Sequence, residues 1–421
     1  MNLMGLLSKS KIEVSIVKKN DNGLIFHVKN GKGLLCGKYG VLDGKGFYTL
    51  VYDNIPLIKF YGDEYLCPTC EKLVSAGFGL NTANDKTVYE LSNALNEPFE
   101  SIQNSYECLK PLLGLLSTGY YMLSDKEVLP TDGNGKFFWS IGNTPEANRA
   151  TAPVYDSRNS DWSHVTTKYL LPTQSPKLFN PDRVAHYLKQ DNTRAIAYAL
   201  PNGYLCALID GHHKACAAAL QKKTLKTLVI ESPTGLSYPH KSNGDKGFIY
   251  FTQGKVYEDE MKESFEKARQ SFASDVRLSN DETVKYFSMI SNDIDSFSWP
   301  NDLLDSSKPY YDVFTHTCIE WAGDLSDERI NRILRKEEYP DEVALSHIMN
   351  ALYGINSPRF IEFAVFVGRN EDYISIWHEV FSLLSKAKTE EVENFFVEFL
   401  ISDDKLRPNL TKIADDYFAT N

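Results

Sequence analysis

Long apolar runs are missing from this sequence of 421 residues. No run approaches the roughly 20 consecutive apolar residues that a membrane-spanning helix needs, and no tract has low complexity. The opening residues 1–7 are too short for the apolar core of a signal peptide and lack a basic start, so we expect them to belong to the mature chain. The sequence therefore predicts a cytoplasmic globular protein without a membrane partner.

Cysteine is scarce: seven residues are spread over the whole chain. An odd number at irregular spacing does not make a disulfide framework of the kind that small secreted domains use. We expect reduced thiols.

Basic residues are scarce in the last third of the chain. Over residues 281–421 there are 27 acidic and 13 basic side chains, a net charge of −14 against −11 for the whole protein. An acidic region of this kind should repel nucleic acid and anionic membranes, so a phosphate-bearing ligand is expected to bind within the first 280 residues. Nucleic acid is not an expected partner.

The chain is longer than the usual size of a domain with a single hydrophobic core, so several domains are expected. The predicted strands and helices make the expected fold class multidomain α+β. We predict a β-rich unit at 1–80, with hairpins at Asn30–Gly33 and Asp43–Gly46, and a helical segment, a hairpin near Gly133 and a connection over 81–162. A compact α/β module follows at 163–256, and an acidic all-α domain at 257–421.

The strongest chemical signal is the stretch "LCALIDGHHKACAAAL" at residues 205–220. Its pattern predicts a strand at 204–209 that turns at Asp210-Gly211 into a helix at 212–222, between further strands at 194–200 and 225–230. Such a turn directs unpaired backbone N–H groups and the positive end of the helix dipole at one point, where anions bind.

Side chains at this joint suit phosphate chemistry. Gly211 would let the backbone approach a phosphate, Lys214 would supply a charge, and His213 could hydrogen-bond an oxygen or exchange a proton. We therefore predict phosphate binding by Gly211, His213 and Lys214, and catalytic roles for Asp210, His212 and His213. Asp210 could orient a histidine, hold Mg²⁺ or cap the helix. The competing interpretation is a capped helix whose histidines face solvent.

These residues resemble the ParB/sulfiredoxin-like domains, also described as ParB-like nuclease domains. In that superfamily a strand enters a helix through Gly-x-x-Arg, and uncharacterised members read Asp-Gly-His-His-Arg where this chain has Asp210 to Lys214. Leu171-Pro172-Thr173-Gln174 before a helix also fits, and the likeness covers about residues 163–232. The resemblance implies that the turn and the helix N-terminus hold nucleotide phosphates. Mg²⁺ would accompany the nucleotide if Asp210 coordinates it.

The chain departs from the family pattern at the joint, and these departures limit the activities that the resemblance implies. Sulfiredoxins place a catalytic cysteine where this chain has His212, so reduction of sulfinic acids is not expected. The ParB proteins that hydrolyse CTP read Gly-Glu-Arg-Arg, and His212-His213-Lys214 removes both the acid and the bidentate arginine.

A second candidate site is a structural zinc knuckle in the N-terminal unit. Cys67 and Cys70 have the Cys-x-x-Cys spacing with which two thiolates hold one tetrahedral ion. Cys36 offers a third ligand and His27 a fourth. The equally weighted alternative is that no metal binds, and a redox role lacks the expected thioredoxin-like context.

The sequence thus supports two main functions. The first is a nucleotide- or phosphate-ligand-binding protein that acts through the Gly211 joint and extends to phosphoryl transfer or nucleotide hydrolysis. The second is a non-catalytic adaptor with a vestigial phosphate loop, whose acidic helical domain docks a protein partner. A DNA-associated nuclease, suggested by the ParB likeness, is disfavoured by the acidic charge.

Overall fold

The computed structural model describes residues 11–20, 23–42, 45–63, 74–76, 96, 98–140, 168–174, 176–190, 192–200, 204–240, 244–272, 276–289, 297–402 and 406–419. The chain separates into two compact units, residues 1–310 and 311–421. The predicted boundaries near 80, 162 and 256 stay predictions. The mixed α/β character and the helical C-terminal region are confirmed.

The described strands of the first unit form three sheets. A seven-stranded sheet has the order β1-β2-β7-β11-β9-β10-β8, a five-stranded sheet the order β15-β3-β4-β5-β6, and a small sheet the order β12-β13-β14. The strands are β1 (Glu13–Asn20), β2 (Gly23–Lys29), β3 (Leu35–Leu42), β4 (Lys45–Tyr52), β5 (Ile55–Asp63), β6 (Val74–Ala76), β7 (Gly119–Val128), β8 (Tyr169–Pro172), β9 (Ala195–Ala199), β10 (Leu205–Asp210), β11 (Leu225–Glu231), β12 (Gly235–Ser237), β13 (Phe248–Phe251), β14 (Gly254–Tyr257) and β15 (Val276–Arg277).

The helices that the structure describes in the first unit are α1 (Ile102–Leu113), α2 (Pro181–Tyr187), α3 (His212–Leu220), α4 (Phe265–Phe272), α5 (Asn280–Met289) and α6 (Asn301–Asp305). Those of the second unit are α7 (Val313–Ala322), α8 (Asp327–Leu334), α9 (Glu342–Gly354), α10 (Phe360–Gly368), α11 (Trp377–Leu384), α12 (Glu390–Ser402) and α13 (Pro408–Ala419). Among the described residues, no helix is both long and apolar enough to cross a bilayer.

The N-terminal strands do not form one separate unit, contrary to the expected β-rich domain. β1 and β2 pair with β7 in the same sheet as the central module, whereas β3 to β6 pair with one another. The predicted hairpin at Asn30–Gly33 is therefore wrong, because it joins β2 of one sheet to β3 of another. The hairpin at 43–46 agrees with the antiparallel pairing of β3 with β4.

The predicted central elements are confirmed closely. β9, β10, α3 and β11 lie within two residues of their expected bounds, and β11 runs parallel to β9 while β10 runs antiparallel to it. The Asn180 side chain caps α2 by accepting from the backbone N–H groups of Asp182 and Arg183, with Pro181 in the first turn.

The core of the first unit packs on both faces of the large sheet. One cluster joins the alanines of α3 to β9, β10 and the aromatic residues Phe137, Phe138 and Trp139. The alanine run lets α3 lie close to the sheet because each alanine side chain is a single methyl group. This packing fixes the start of α3 against the loops that follow β8.

Candidate functional site

The joint between β10 and α3 turns at Gly211. Its φ is +103°, a conformation that costs little only for glycine. A Cβ added there would lie 2.6 Å from the Cβ of Ala195, so the site also requires the absence of a side chain. A glycine at the helix cap supplies no side-chain acceptor for the first-turn N–H groups.

His212, the first residue of α3, holds the loop that follows β8. Its Nε2 accepts hydrogen bonds from the backbone N–H groups of Thr173 at 3.0 Å and Gln174 at 3.3 Å. The side chain is 1 % exposed and its ring centroid lies 4.8 Å from that of Trp139. Because Nε2 accepts, the proton of the neutral ring is on Nδ1, which has no hydrogen-bond partner among the described residues.

Burial keeps His212 neutral. Desolvation lowers the pKa of the ring well below its usual value, and the neighbouring His213 lowers it further.

His213 holds the start of α2 in the same way. Its Nε2 accepts from the backbone N–H of Asn180 at 3.0 Å, and the ring also hydrogen-bonds the backbone of Leu178. Desolvation is the main cause that lowers the pKa of His213 to about 4, and the positive charge of Arg183 adds to it. At neutral pH both imidazoles are uncharged structural acceptors.

Lys214 also points inward and is 4 % exposed. Its ammonium donates to the backbone carbonyl of Arg194 at 2.9 Å and lies 5.4 Å from the centre of the Tyr187 ring. Burial lowers the pKa of Lys214, Asp210 opposes that shift, and Arg183 adds to it. The ammonium therefore links α3 to the residue that precedes β9.

The structure brings all the predicted joint residues together but orients them differently from the expectation. Asp210 is partly exposed, whereas residues 211–214 are buried, so the histidines do not face solvent. To act as a base, His212 or His213 would have to give up a backbone hydrogen bond.

Arg183 is exposed, and its charge influences both His213 and Lys214. Sequence reasoning missed Arg183. The available signal was its position in the first turn of α2, just after the Asn180 cap.

The predicted zinc ligands are only partly described. Cys67 and Cys70 lie outside the described residues. His27 is on β2, where its Nε2 lies 3.2 Å from a carboxylate oxygen of Glu263, whereas Cys36 is on β3 and packs with an apolar cluster of the other sheet. The part of the chain that the structure describes contains no group of three or more metal-binding side chains. The zinc knuckle stays a prediction.

Comparison with protein-family models, curated proteins and solved structures found no match to the chain. The resemblance to ParB/sulfiredoxin-like domains therefore depends on the residues of the joint and of the strands around it.

Proposed function

We propose that the protein binds a phosphate-bearing ligand, in the simplest case a nucleotide, at the N-terminus of α3. The observation that carries the proposal is the buried, glycine-capped start of this helix, whose first N–H groups meet no capping side chain. Helix N-termini of this kind attract anions through those N–H groups and through the helix dipole.

Two further features support the same location. The Nδ1–H of His212 is a buried donor without a partner among the described residues, and an acceptor oxygen would satisfy it. Arg183 places an exposed cation close enough to act on His213 and Lys214. We assign Arg183 the phosphate contact predicted for Lys214, because the Lys214 ammonium bonds the carbonyl of Arg194.

The proposal is one of binding, with Mg²⁺ held at Asp210 if the ligand is a nucleotide. Asp210 is the partly exposed carboxylate at the end of β10, and carboxylates together with phosphate oxygens are the usual Mg²⁺ ligands. Because residues 211–214 are buried, the phosphate would enter beside Asp210 and Arg183. Hydrolysis or phosphoryl transfer is not included, since both imidazoles already accept backbone hydrogen bonds.

Isothermal titration with ATP, ADP, CTP, GTP and pyrophosphate, with and without Mg²⁺, tests this proposal. We expect binding of at least one of them, weakened about tenfold or more in Arg183→Gln, since one charged contact contributes about 1.5 to 3 kcal/mol. Lys189→Gln, which removes an exposed cation just beyond α2, is the matched control and should bind normally. Absence of binding by a folded sample would contradict the proposal and favour the adaptor function.

A further inference from the structure

The first unit contains a second concave feature, which is lined by the Arg194 side chain, whereas the Arg194 backbone carbonyl accepts from Lys214 of the Gly211 joint. A cavity of about 380 Å³ is lined by residues 98–100, by the first turns of α1, by Arg194 just before β9 and by Leu228 in the middle of β11. This volume lies in the range of small-molecule sites, about 300 to 1,000 Å³. Phe99, Leu109 and Leu228 give it apolar walls, and Cys108 stands exposed at its edge.

Arg194 is the buried polar group of this cavity. The residue is 7 % exposed, and its guanidinium makes a bidentate pair with Asp125, from Nε at 2.8 Å and from Nη2 at 2.9 Å. Nη1 donates to the Asn192 side chain at 3.3 Å, and the Phe99 ring covers the guanidinium at 3.8 Å. A guanidinium has five N–H donors, so these three bonds leave two donors without a partner among the described residues, one on each terminal nitrogen.

The charges around the cavity determine which net charge a ligand of the two remaining Arg194 donors can carry. Asp125 already neutralises Arg194, and Lys110 pairs with Glu107 at 2.5 Å. Glu100 also lines the cavity, and its described partner is the uncharged amide of Asn104, so one carboxylate charge is left unbalanced. An anion would meet an excess of negative charge. An uncharged carbonyl oxygen can accept from the guanidinium without that repulsion, and an amide N–H₂ on the same carbon can donate to a glutamate.

We propose that this cavity binds an uncharged planar ring that carries a carboxamide. The ring packs among Phe99, Leu109 and Leu228, the carbonyl oxygen accepts from Arg194, and the amide nitrogen donates to Glu100 or Glu107. The shape of the ligand follows from the apolar walls, and its lack of charge follows from the paired arginine. This site does not depend on phosphate binding at α3.

Four probes of similar shape test the chemistry: benzamide, benzoate, benzylamine and toluene. Ligand-observed NMR with the full chain should show binding of benzamide and at least about tenfold weaker binding of the other three, which corresponds to 1.4 kcal/mol. Benzoate replaces the amide by an anion, benzylamine replaces it by a cation, and toluene removes the polar group. Equal or tighter binding of any of these three, or no binding of benzamide, would overturn the proposal.

Cys108 provides a second readout in the unmodified protein. Methyl methanethiosulfonate should modify the Cys108 thiol, and peptide mass spectrometry can follow the rate at that residue alone. Benzamide at ten times its Kd should slow the reaction about tenfold, because only the unoccupied fraction reacts. An unchanged rate at saturation would place the ligand elsewhere and contradict the proposal.

A cavity-blocking variant separates the site from the rest of the molecule. Cys108→Trp adds a large side chain at an exposed position on the edge of the cavity and should abolish benzamide binding. Lys19→Trp, at an exposed position of β1, is the matched control and should retain it. Retained binding in Cys108→Trp would rule out this cavity.

Discussion

At the scale of single residues, the pair His212 and His213 acts as two acceptors that hold backbone. Together they accept from three N–H groups, those of Thr173, Gln174 and Asn180. Polar backbone buried without a partner is costly, so these histidines let a loop pack against a helix that is rich in alanine. A polar Gly-His-His-Lys sequence does not reveal this, because the hydrogen-bond partners come from 33 to 39 residues upstream.

Replacing His212 by alanine should destabilise the first unit by about 2 to 4 kcal/mol. The change leaves the buried N–H of Thr173 and the partly buried N–H of Gln174 unpaired. A fully buried unpaired donor costs about 1 to 3 kcal/mol and a partly buried one costs less, and the change also removes a packed ring. His186→Ala, at an exposed position of α2, should change stability by less than about 0.5 kcal/mol. Urea unfolding followed by tryptophan fluorescence measures both, and equal effects would mean that the His212 hydrogen bonds contribute nothing.

The three buried histidines His27, His212 and His213 should make the protein less stable in acid. Burial is the main cause that lowers the pKa of each in the folded state, so the unfolded chain binds protons first as the pH falls. The contribution of these histidines should be constant above about pH 7, and stability should decrease below the unfolded pKa of about 6.5, at up to about 1.4 kcal/mol per pH unit for each histidine.

Urea midpoints between pH 8 and pH 5 measure this dependence. His213→Gln should flatten the curve, because glutamine does not titrate. For His213 the decrease continues to about pH 4, its folded pKa. A stability that rises as the pH falls from 7 to 5 would contradict the burial of neutral rings.

At the scale of elements, the strand-turn-helix joint depends on one glycine. Gly211→Ala combines a φ of +103° with a Cβ at 2.6 Å from the Cβ of Ala195, so we expect a loss of at least about 2 kcal/mol. Gly135→Ala is the matched control: its φ is +85°, but nothing lies within 4 Å of the added atom. It should cost about 1 kcal/mol from backbone strain alone.

Chemical denaturation of the two variants gives the comparison. A similar decrease in the free energy of unfolding of both variants would show that the close approach of Gly211 to Ala195 adds nothing to the backbone strain.

Local elements could be predicted from the sequence more completely than their pairing. The apolar alternation and the Asp-Gly turn gave β9, β10, α3 and β11, since those signals are contained in a few neighbouring residues. It could not be predicted that β1 and β2 belong to the same sheet as β9, β10 and β11. β2 joins that sheet by pairing with β7, which lies about 100 residues further along the chain. Strand pairing depends on contacts that sequence periodicity does not encode.

The strand-turn-helix joint was predicted in place, but the contacts of its side chains were not. The joint Asp210–Lys214 was located correctly, yet the inward bonds of Lys214 and both histidines depend on Arg194, Asn180 and the loop at Thr173, which no local pattern connects with them. The turn at Asp53-Asn54, where both residues have positive φ, was also missed, although such a pair between apolar runs is a hairpin signal.

At the scale of the whole molecule, the second unit should fold alone. Its hydrophobic core uses only residues between Cys318 and Tyr417, all within residues 311–421. This fragment should be helical and should unfold cooperatively, because its apolar surface is buried within the fragment itself. Circular dichroism with a thermal scan measures this, and a shallow, non-cooperative transition would contradict an independent core.

The order of the seven-stranded sheet has a consequence for synthesis on the ribosome. β11 lies between β7 and β9 and so joins one group of strands, β1-β2-β7, to the other, β9-β10-β8. Both groups leave the ribosome before β11, which ends at Glu231, and until then β7 and β9 each have an unpaired edge. Unpaired edges invite pairing with other chains, so the nascent protein is most exposed to misassembly during the interval before residue 231 emerges.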